Sequence, residues 1–224
     1  MVTVPAIDRS STTDRVAEAL RAMLFTGELS PGEPLREVSL ADAFQVARST
    51  VREALQVLAG DGLVTRYPHR GVVVTELTGD DIAEIFGARL VLESAGVRAG
   101  SEGADLAPVA EALATYAAAT AGSDQAEITH AHLEFHTSLV SLLGNARLVA
   151  NADTLTGDLR LALASVERRR ANARQQVADH RRLLRLMKTG DTDGALSELD
   201  RHLTAARASV HEQVRERDAV SPGS

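Results

Sequence analysis

Four histidines in the second half of the chain have a spacing that suits the binding of one metal ion. His132 and His136 are four residues apart, so on a helix they share one face and both can bind the same ion. His180 and His202 lie in two later amphipathic stretches, and helical bundles build metal sites from side chains on facing helices. A pair with this spacing is by itself more often a chance arrangement on the surface, and the two later histidines are what make the four candidates for one metal site. The competing interpretation is a group of hydrogen-bonded polar residues that line a pocket.

Two arginines in the first half of the chain are spaced for contact with DNA. Arg48 and Arg52 are four residues apart, on one face of a predicted helix whose apolar residues point to the opposite side. Ser49 and Thr50 add two hydroxyls near the start of the same helix. Backbone N–H groups and hydroxyls at a helix start bind phosphates, and a guanidinium can bind guanine O6 and N7 together. The segment predicts a DNA-reading helix, and the alternative is a solvated basic face.

The elements around these arginines follow the order of a winged helix-turn-helix. The first helix has Thr12 or Thr13 as its expected cap and ends at Gly27. A turn that contains Arg70 and Gly71 separates two runs of β-branched residues, which predicts a hairpin with a basic tip. After the first helix, the predicted elements are helices over residues 39–44 and 48–59 and strands over residues 63–65 and 72–75.

The chain beyond residue 78 is predicted to be entirely helical. Thr78 and Asp81 have the spacing of a capping box, and Gly-rich or polar breaks divide the rest into about six helices. The fold class is therefore mainly α, with an N-terminal winged helix-turn-helix followed by an all-helical bundle. The predicted domains are a DNA-binding domain over residues 1–77 and an effector-binding and dimerisation domain over residues 78–217, followed by a disordered tail over residues 218–224.

Composition narrows the class of protein further. The 224 residues contain no cysteine, which excludes disulfides, thiolate metal sites and a thiol nucleophile. The formal net charge is −7, so contact with nucleic acid must come from a local basic patch. No apolar run approaches the length needed to span a membrane, and the N-terminus lacks the apolar core of a signal peptide. A cytoplasmic protein without membrane contact is expected.

Several motifs of the first half, taken in order, resemble the GntR family of bacterial transcription regulators. They are Leu29-Ser30-Pro31-Gly32-Glu33-Pro34-Leu35, Val46-Ala47-Arg48-Ser49-Thr50-Val51-Arg52-Glu53-Ala54-Leu55, Asp61-Gly62-Leu63-Val64 and Arg70-Gly71. The resemblance implies DNA contacts by Arg48, Ser49, Thr50 and Arg52 of the recognition helix and by Arg70 and Gly71 at the wing tip. Ala47 departs from the family, which commonly has a hydroxyl residue there, and Thr50 occupies a position that is often Pro. These departures concern the operator sequence rather than the architecture.

The helical half resembles the FadR-type, FCD class of ligand-binding domains in that family. The metal-binding members have an acidic residue and a histidine four apart, followed by two later histidines, and His136, His180 and His202 match the three histidines. His132 stands at the acidic position and replaces a hard oxygen ligand with a nitrogen. A four-nitrogen set favours zinc or nickel over manganese or calcium. The alternative is a three-histidine site in which His132 does not bind the ion.

Arg89 is the candidate for binding an effector. The segment from Arg89 to Glu93 resembles the Arg-x-x-Leu-Glu segment that opens the FCD domain. A guanidinium matches a carboxylate in shape and stays charged, so Arg89 could bind the carboxylate of an effector. The alternative is a surface pair between Arg89 and Glu93, worth a few tenths of a kcal/mol.

The predicted function is a ligand-responsive transcriptional regulator and not an enzyme. A homodimer would present two recognition helices to a near-palindromic double-stranded DNA operator. A small carboxylic acid bound at the zinc or nickel ion would release the protein, which makes it a repressor. One alternative is a metal-dependent hydrolase or lyase that uses the histidine cluster. Another is a structural metal, bound by a closed shell of four histidines, with no effector.

Overall fold

The computed structural model describes residues 11–68, 71–164 and 173–220 of the chain. The chain divides into two compact units between Thr75 and Glu76. This division lies two residues before the predicted domain boundary. The predicted wing residue Arg70 lies outside the described residues.

The first unit contains three helices and a small sheet within its described residues. The helices are α1 (Thr12–Thr26), α2 (Glu37–Phe44) and α3 (Arg48–Gly60). α1 ends at Gly27, as predicted, with a left-handed φ of 72° that suits a residue without a Cβ. The predicted cap was wrong. Ser11 caps α1 because Asp14, three residues further on, completes a capping box with it.

The sheet of this unit forms the wing. Its strands are β1 (Pro34–Leu35), β2 (Val64–Tyr67) and β3 (Gly71–Val74), arranged antiparallel in the order β1-β3-β2. The hairpin of β2 and β3 confirms the predicted ribbon, with Val64 opposite Val74 and Tyr67 opposite Gly71. β1 was not predicted because two residues that begin with Pro show no alternating pattern.

The described residues of the second unit form helices joined by short loops, with no strand among them. Its helices are α4 (Gly79–Ser101), α5 (Ala107–Ala119), α6 (Gln125–Ser141), α7 (Ala146–Ala164), α8 (Ala173–Lys188) and α9 (Thr192–Val220). Thr78 and Asp81 form the predicted capping box at the start of α4. α9 continues to Val220, so it overlaps the predicted tail, of which residues 221–224 lie outside the described residues. The order of helices and ribbon confirms the predicted fold class.

A close contact between α4 and α6 fixes the two helices that carry much of the candidate site. A Cβ atom on Gly96 of α4 would lie 1.9 Å from the carbonyl oxygen of Leu139 on α6, so only glycine fits there. Glu93 lies one turn before Gly96, and His136 lies one turn before Leu139. The backbone contact therefore sets the distance between these two side chains. No helix in the described part of the chain is both long and apolar enough to cross a membrane.

Candidate metal centre and nucleic-acid interface

The four predicted histidines lie together inside the second unit. His132 and His136 come from α6, His180 from α8 and His202 from α9, and each exposes 8% or less of its surface. One ligand atom from each lies within 4.8 Å of the others. The Nε2 atoms of His132 and His136 are 3.2 Å apart, and those of His180 and His202 are 3.3 Å apart. The cluster therefore brings together residues that come from three helices and are as many as 70 residues apart in the sequence.

Aromatic rings pack against this cluster and exclude water from it. Tyr116 of α5 stacks on His132 with ring centroids 4.9 Å apart, and Phe135 lies 4.3 Å from the ring of His180. The hydroxyl of Tyr116 donates a hydrogen bond to Gln176 at 3.0 Å. Both aromatic rings are fully buried, so they hold the imidazoles in place.

A carboxylate orients one of the histidines. His136 Nδ1 lies 2.7 Å from Glu93 Oε2, and Glu93 Oε1 accepts a hydrogen bond of 2.8 Å from Nε of Arg89. When Nδ1 donates to a carboxylate, Nε2 carries the lone pair and faces the ion, as in many metal sites. Sequence reasoning missed this role of Glu93, because His136 is 43 residues away along the chain.

Arg89 pairs with Glu93, as the alternative to effector binding predicted, but the pair is buried rather than exposed at the surface. Arg89 and Glu93 are exposed by only 6% and 2%, so the expectation of a weak surface pair was wrong. The guanidinium also lies 5.2 Å from the ring centroid of Phe86. Contact of Arg89 with an effector stays a prediction.

Burial keeps His136 and His180 in the neutral form that binds metals. It lowers the pKa of His136 well below the ordinary 6.5, and the charge of Arg89 acts in the same direction. Burial likewise lowers the pKa of His180 well below that value, and the neighbouring histidines add to the effect. Burial raises the pKa of Glu93, against the charge and hydrogen bond of Arg89. Neutral imidazoles are the metal-binding form, so the cluster needs no proton release from these two histidines at neutral pH.

The donor set fits a divalent transition metal. Four nitrogens arranged tetrahedrally at 2.0–2.1 Å from an ion are about 3.3 Å apart, close to the two Nε2 separations observed. The buried Nδ1 of His180 has no hydrogen-bond partner among the described residues. Among the described residues, His180 therefore lacks the second hydrogen bond that orients His136.

A pocket lies next to Arg89 and His136. Its volume is about 10 Å³, which is roughly the room that one water molecule needs. Leu92, Val140, Ala152 and Leu155 supply apolar walls, and the hydroxyls of Thr137 and Thr156, 3.3 Å apart, supply polar groups. Charged, hydroxyl and apolar groups therefore meet in a narrow pocket beside the histidine cluster.

In the first unit, α3 presents the predicted DNA-reading face to solvent. Arg48, Ser49 and Arg52 are exposed and Thr50 is partly exposed, while the apolar residues of the opposite face are buried in the core of this unit. Ala47 precedes α3 and makes no side-chain cap, so no side chain occupies the first N–H groups of the helix. The start of α3 therefore combines an arginine, hydroxyls and uncapped backbone donors.

Arg52 has a partner that the sequence did not predict. Its Nε lies 3.1 and 3.2 Å from the two carboxylate oxygens of Glu37, and its Nη2 donates to Oε2 at 2.8 Å. This hydrogen bond lowers the pKa of Glu37, and the charges of Arg52, Arg66 and Arg48 lower it further. Glu37 thus stands among three arginines.

The predicted glycine of the wing is the first residue of β3. Gly71 begins β3 with φ of +80°, a left-handed conformation that L side chains rarely adopt. Nothing within 4 Å would meet a Cβ there, so the backbone conformation rather than space selects glycine. Its contact with DNA stays a prediction, as does that of the undescribed Arg70.

Two family models match separate parts of the chain. The model described as "Bacterial regulatory proteins, gntR family" matches residues 12–74, and the FCD domain model matches residues 84–205. The gluconate operon transcriptional repressor of Bacillus licheniformis is 28% identical over 217 residues, which cover 92% of this chain and 88% of that protein. The HTH-type transcriptional regulator YdhC of Bacillus subtilis is 35% identical over 133 residues, which cover 58% of this chain and 59% of that protein.

A solved structure resembles this chain both in its fold and in its amino-acid sequence. The crystal structure of a GntR transcriptional regulator from Rhodococcus sp. RHA1 matches with a TM-score of 0.77 and 32% identity, over 90% of this chain and 98% of that one. The similar proteins reported are named as regulators, so they give no support to the hydrolase or lyase alternative.

Proposed function

Since the chain belongs to the GntR family of bacterial regulatory proteins and carries an FCD domain, we propose that it is a homodimeric repressor released by a small carboxylic acid. It binds a near-palindromic operator in cytoplasmic DNA through two copies of α3. A two-fold dimer presents the same helix to two half-sites, so a two-fold symmetric operator is expected. The relative from Bacillus licheniformis is named as an operon repressor, which supports this direction of control.

The observation that carries the DNA-binding role is the composition of the exposed face of α3. Arg48 and Arg52 supply guanidinium groups for guanine, and Ser49 and the first backbone N–H groups supply donors for phosphate. Because the opposite face of α3 is buried in the core, the arginine face is the one available for a groove. Thr50, Arg70 and Gly71 complete the proposed interface.

His132, His136, His180 and His202 are proposed to bind one zinc or nickel ion. Their buried and convergent Nε2 atoms support this assignment, as does the carboxylate behind His136. Four nitrogen ligands would fill a tetrahedral shell, so the ion would attract the carboxylate of an effector through its charge or bind it as a fifth ligand. Glu93 accepts from both Arg89 and His136, so its contribution is to orient the ligand rather than to bind the ion.

Arg89 and the adjacent pocket are proposed to bind the effector. Nε of Arg89 is used by Glu93, so the Nη groups are the ones left for a carboxylate. The pocket has room for about one water molecule in this structure, so an effector must displace the side chains around it in order to bind. Thr156 donates its hydroxyl proton to the carbonyl oxygen of Ala152, so the hydroxyl of Thr137 is the one that can turn to a further oxygen atom of such an acid.

Selection of bound duplexes from a random pool tests the DNA-binding role. The expected result is a two-fold symmetric motif, bound by two chains per duplex. Recovery of no enriched sequence from the pool would contradict the proposed role.

Metal analysis of the protein purified without added metal tests the second site. Close to one zinc or nickel ion per chain is expected, and the His136→Ala/His180→Ala double variant should lose it. His130→Ala is the matched control, because His130 lies on the same helix but is exposed. Protein that lacks metal and still releases the duplex on addition of an effector would overturn the site.

A further inference from the structure

Glu37 is a carboxylate at the centre of a surface that must attract DNA. It lies in the first turn of α2, and its side chain is 19% exposed. Arg48 and Arg52 of α3 and Arg66 of β2 surround it closely enough for their charges to act on it. A negative charge in this position repels phosphate, so its presence calls for a compensating role.

The contacts of Arg52 indicate what this role is. Glu37 binds the Nε and Nη2 side of the guanidinium, which leaves the Nη1 group and the second N–H of Nη2 pointing away from the carboxylate. Those two groups form the end of the fork, and an end-on guanidinium can donate to O6 and N7 of one guanine. A long side chain that is already held loses less conformational entropy when it binds.

We infer that Glu37 is a positioning residue that holds Arg52 for readout of a guanine and thereby exchanges non-specific affinity for specificity. This inference rests on the proposed role of Arg52 in DNA binding. The lowered pKa of Glu37 agrees with it, because the hydrogen bond from Arg52 keeps the carboxylate charged.

The inference predicts opposite effects on specific and non-specific binding. Glu37→Gln should weaken binding to a duplex selected from a random pool, and leave binding to a scrambled duplex equal or tighter. The ratio of the two affinities should fall about tenfold, the lower part of the range for one bidentate contact. Glu37→Asp, with a shorter side chain but the same charge, should also lower the ratio without tightening the scrambled duplex.

Asp42→Asn is the matched control, since Asp42 is exposed on the same helix and its loss changes the net charge equally. It should leave the ratio unchanged. In an Arg52→Ala background, Glu37→Gln should produce no further loss of the ratio, because the side chain it positions is gone. The thermal midpoint of each variant checks that the fold is retained.

The outcomes separate this inference from the proposed function. If Arg52→Ala leaves the selected duplex bound as tightly as before, both the role of Arg52 and the inference are overturned. If Arg52→Ala weakens binding but Glu37→Gln keeps the ratio, or lowers it equally in both backgrounds, only the inference is overturned. A drop of the ratio that depends on Arg52 supports it.

Discussion

At the scale of single residues, the Glu93 carboxylate joins the two parts of the proposed effector site. It accepts a hydrogen bond from Arg89 on one oxygen and lies 2.7 Å from His136 Nδ1 on the other. A change at the pocket that moves Arg89 would therefore act on His136 through a single side chain. An effector bound at Arg89 and an ion bound at His136, as proposed, would therefore influence each other through this side chain.

The buried histidines make the stability of the metal-free protein depend on pH. The pKa values of His136 and His180 are well below 6.5 in the folded state, so between these values and about 6.5 the unfolded chain binds more protons. Stability must therefore rise as pH rises through this window. We expect chelator-treated protein to melt at a lower temperature at pH 5.5 than at pH 7.5. A melting temperature that is lower at pH 7.5 than at pH 5.5 would contradict the burial of neutral imidazoles.

A variant isolates the contribution of one histidine. His180→Leu removes a group whose pKa is lowered in the folded protein. The melting temperature of this variant, after treatment with a chelator, should therefore change less between the two pH values. His130→Ala, on an exposed histidine, should keep the pH dependence of the unmodified chain. Equal pH dependence in all three proteins would assign the effect to other groups.

The sequence was sufficient for residues related by helical spacing and insufficient for pairs made by packing. The four-residue spacing of His132 and His136 predicted that they share a face, and they do. The contacts of Glu93 with His136 and of Glu37 with Arg52 span 43 and 15 residues, and no local pattern indicates such pairs. An acidic residue two positions before a predicted helix was the only signal at Glu37.

At the scale of elements, the contact of α4 with α6 positions the groups that are proposed to bind the metal and the effector. The Gly96→Ala variant would place a methyl group 1.9 Å from the carbonyl oxygen of Leu139, so the helices must separate. Overpacking of this kind costs about 1–3 kcal/mol of stability or more. We expect a lower free energy of unfolding in denaturant titration and weaker metal binding, since His136 moves with α6.

Gly87→Ala is the control on the same helix. Gly87 is exposed, and nothing lies within 4 Å of a Cβ built on it, so only helix propensity changes. This variant should be as stable as the unmodified protein or more stable by up to about 1 kcal/mol. Equal stability of the Gly96→Ala and Gly87→Ala variants would show that the close contact does not constrain the helices.

Local sequence signals determined most element boundaries but not all. Gly27 and the Thr78–Asp81 capping box marked helix ends because their chemistry is local. β1 has only two residues and exists because β3 pairs with it, so its signal lies elsewhere in the chain. α2 starts at Glu37, two residues before the predicted helix. Here too the signal lies elsewhere in the chain, because Glu37 pairs with Arg52 of α3.

At the scale of the whole molecule, the proposed dimer couples two recognition helices to one DNA helix. Two half-sites on the same side of DNA are separated by whole turns of roughly 10–10.5 base pairs. Insertion of roughly half a turn between the half-sites of a selected duplex should therefore weaken binding to about that of a single half-site. Replacement of the intervening bases without a change in length is the control. Unchanged affinity after the insertion would contradict binding by a two-fold dimer.

The central claim is that the exposed face of α3 reads the operator, and one binding measurement tests it most directly. The Arg48→Ala/Arg52→Ala variant is titrated against a duplex selected by the unmodified protein, with binding followed by fluorescence anisotropy. Both side chains are exposed, so helical content by circular dichroism and the oligomeric state should be unchanged. We predict a loss of affinity of at least about 100-fold from the two guanidinium groups. Affinity equal to that of the unmodified protein would contradict the account.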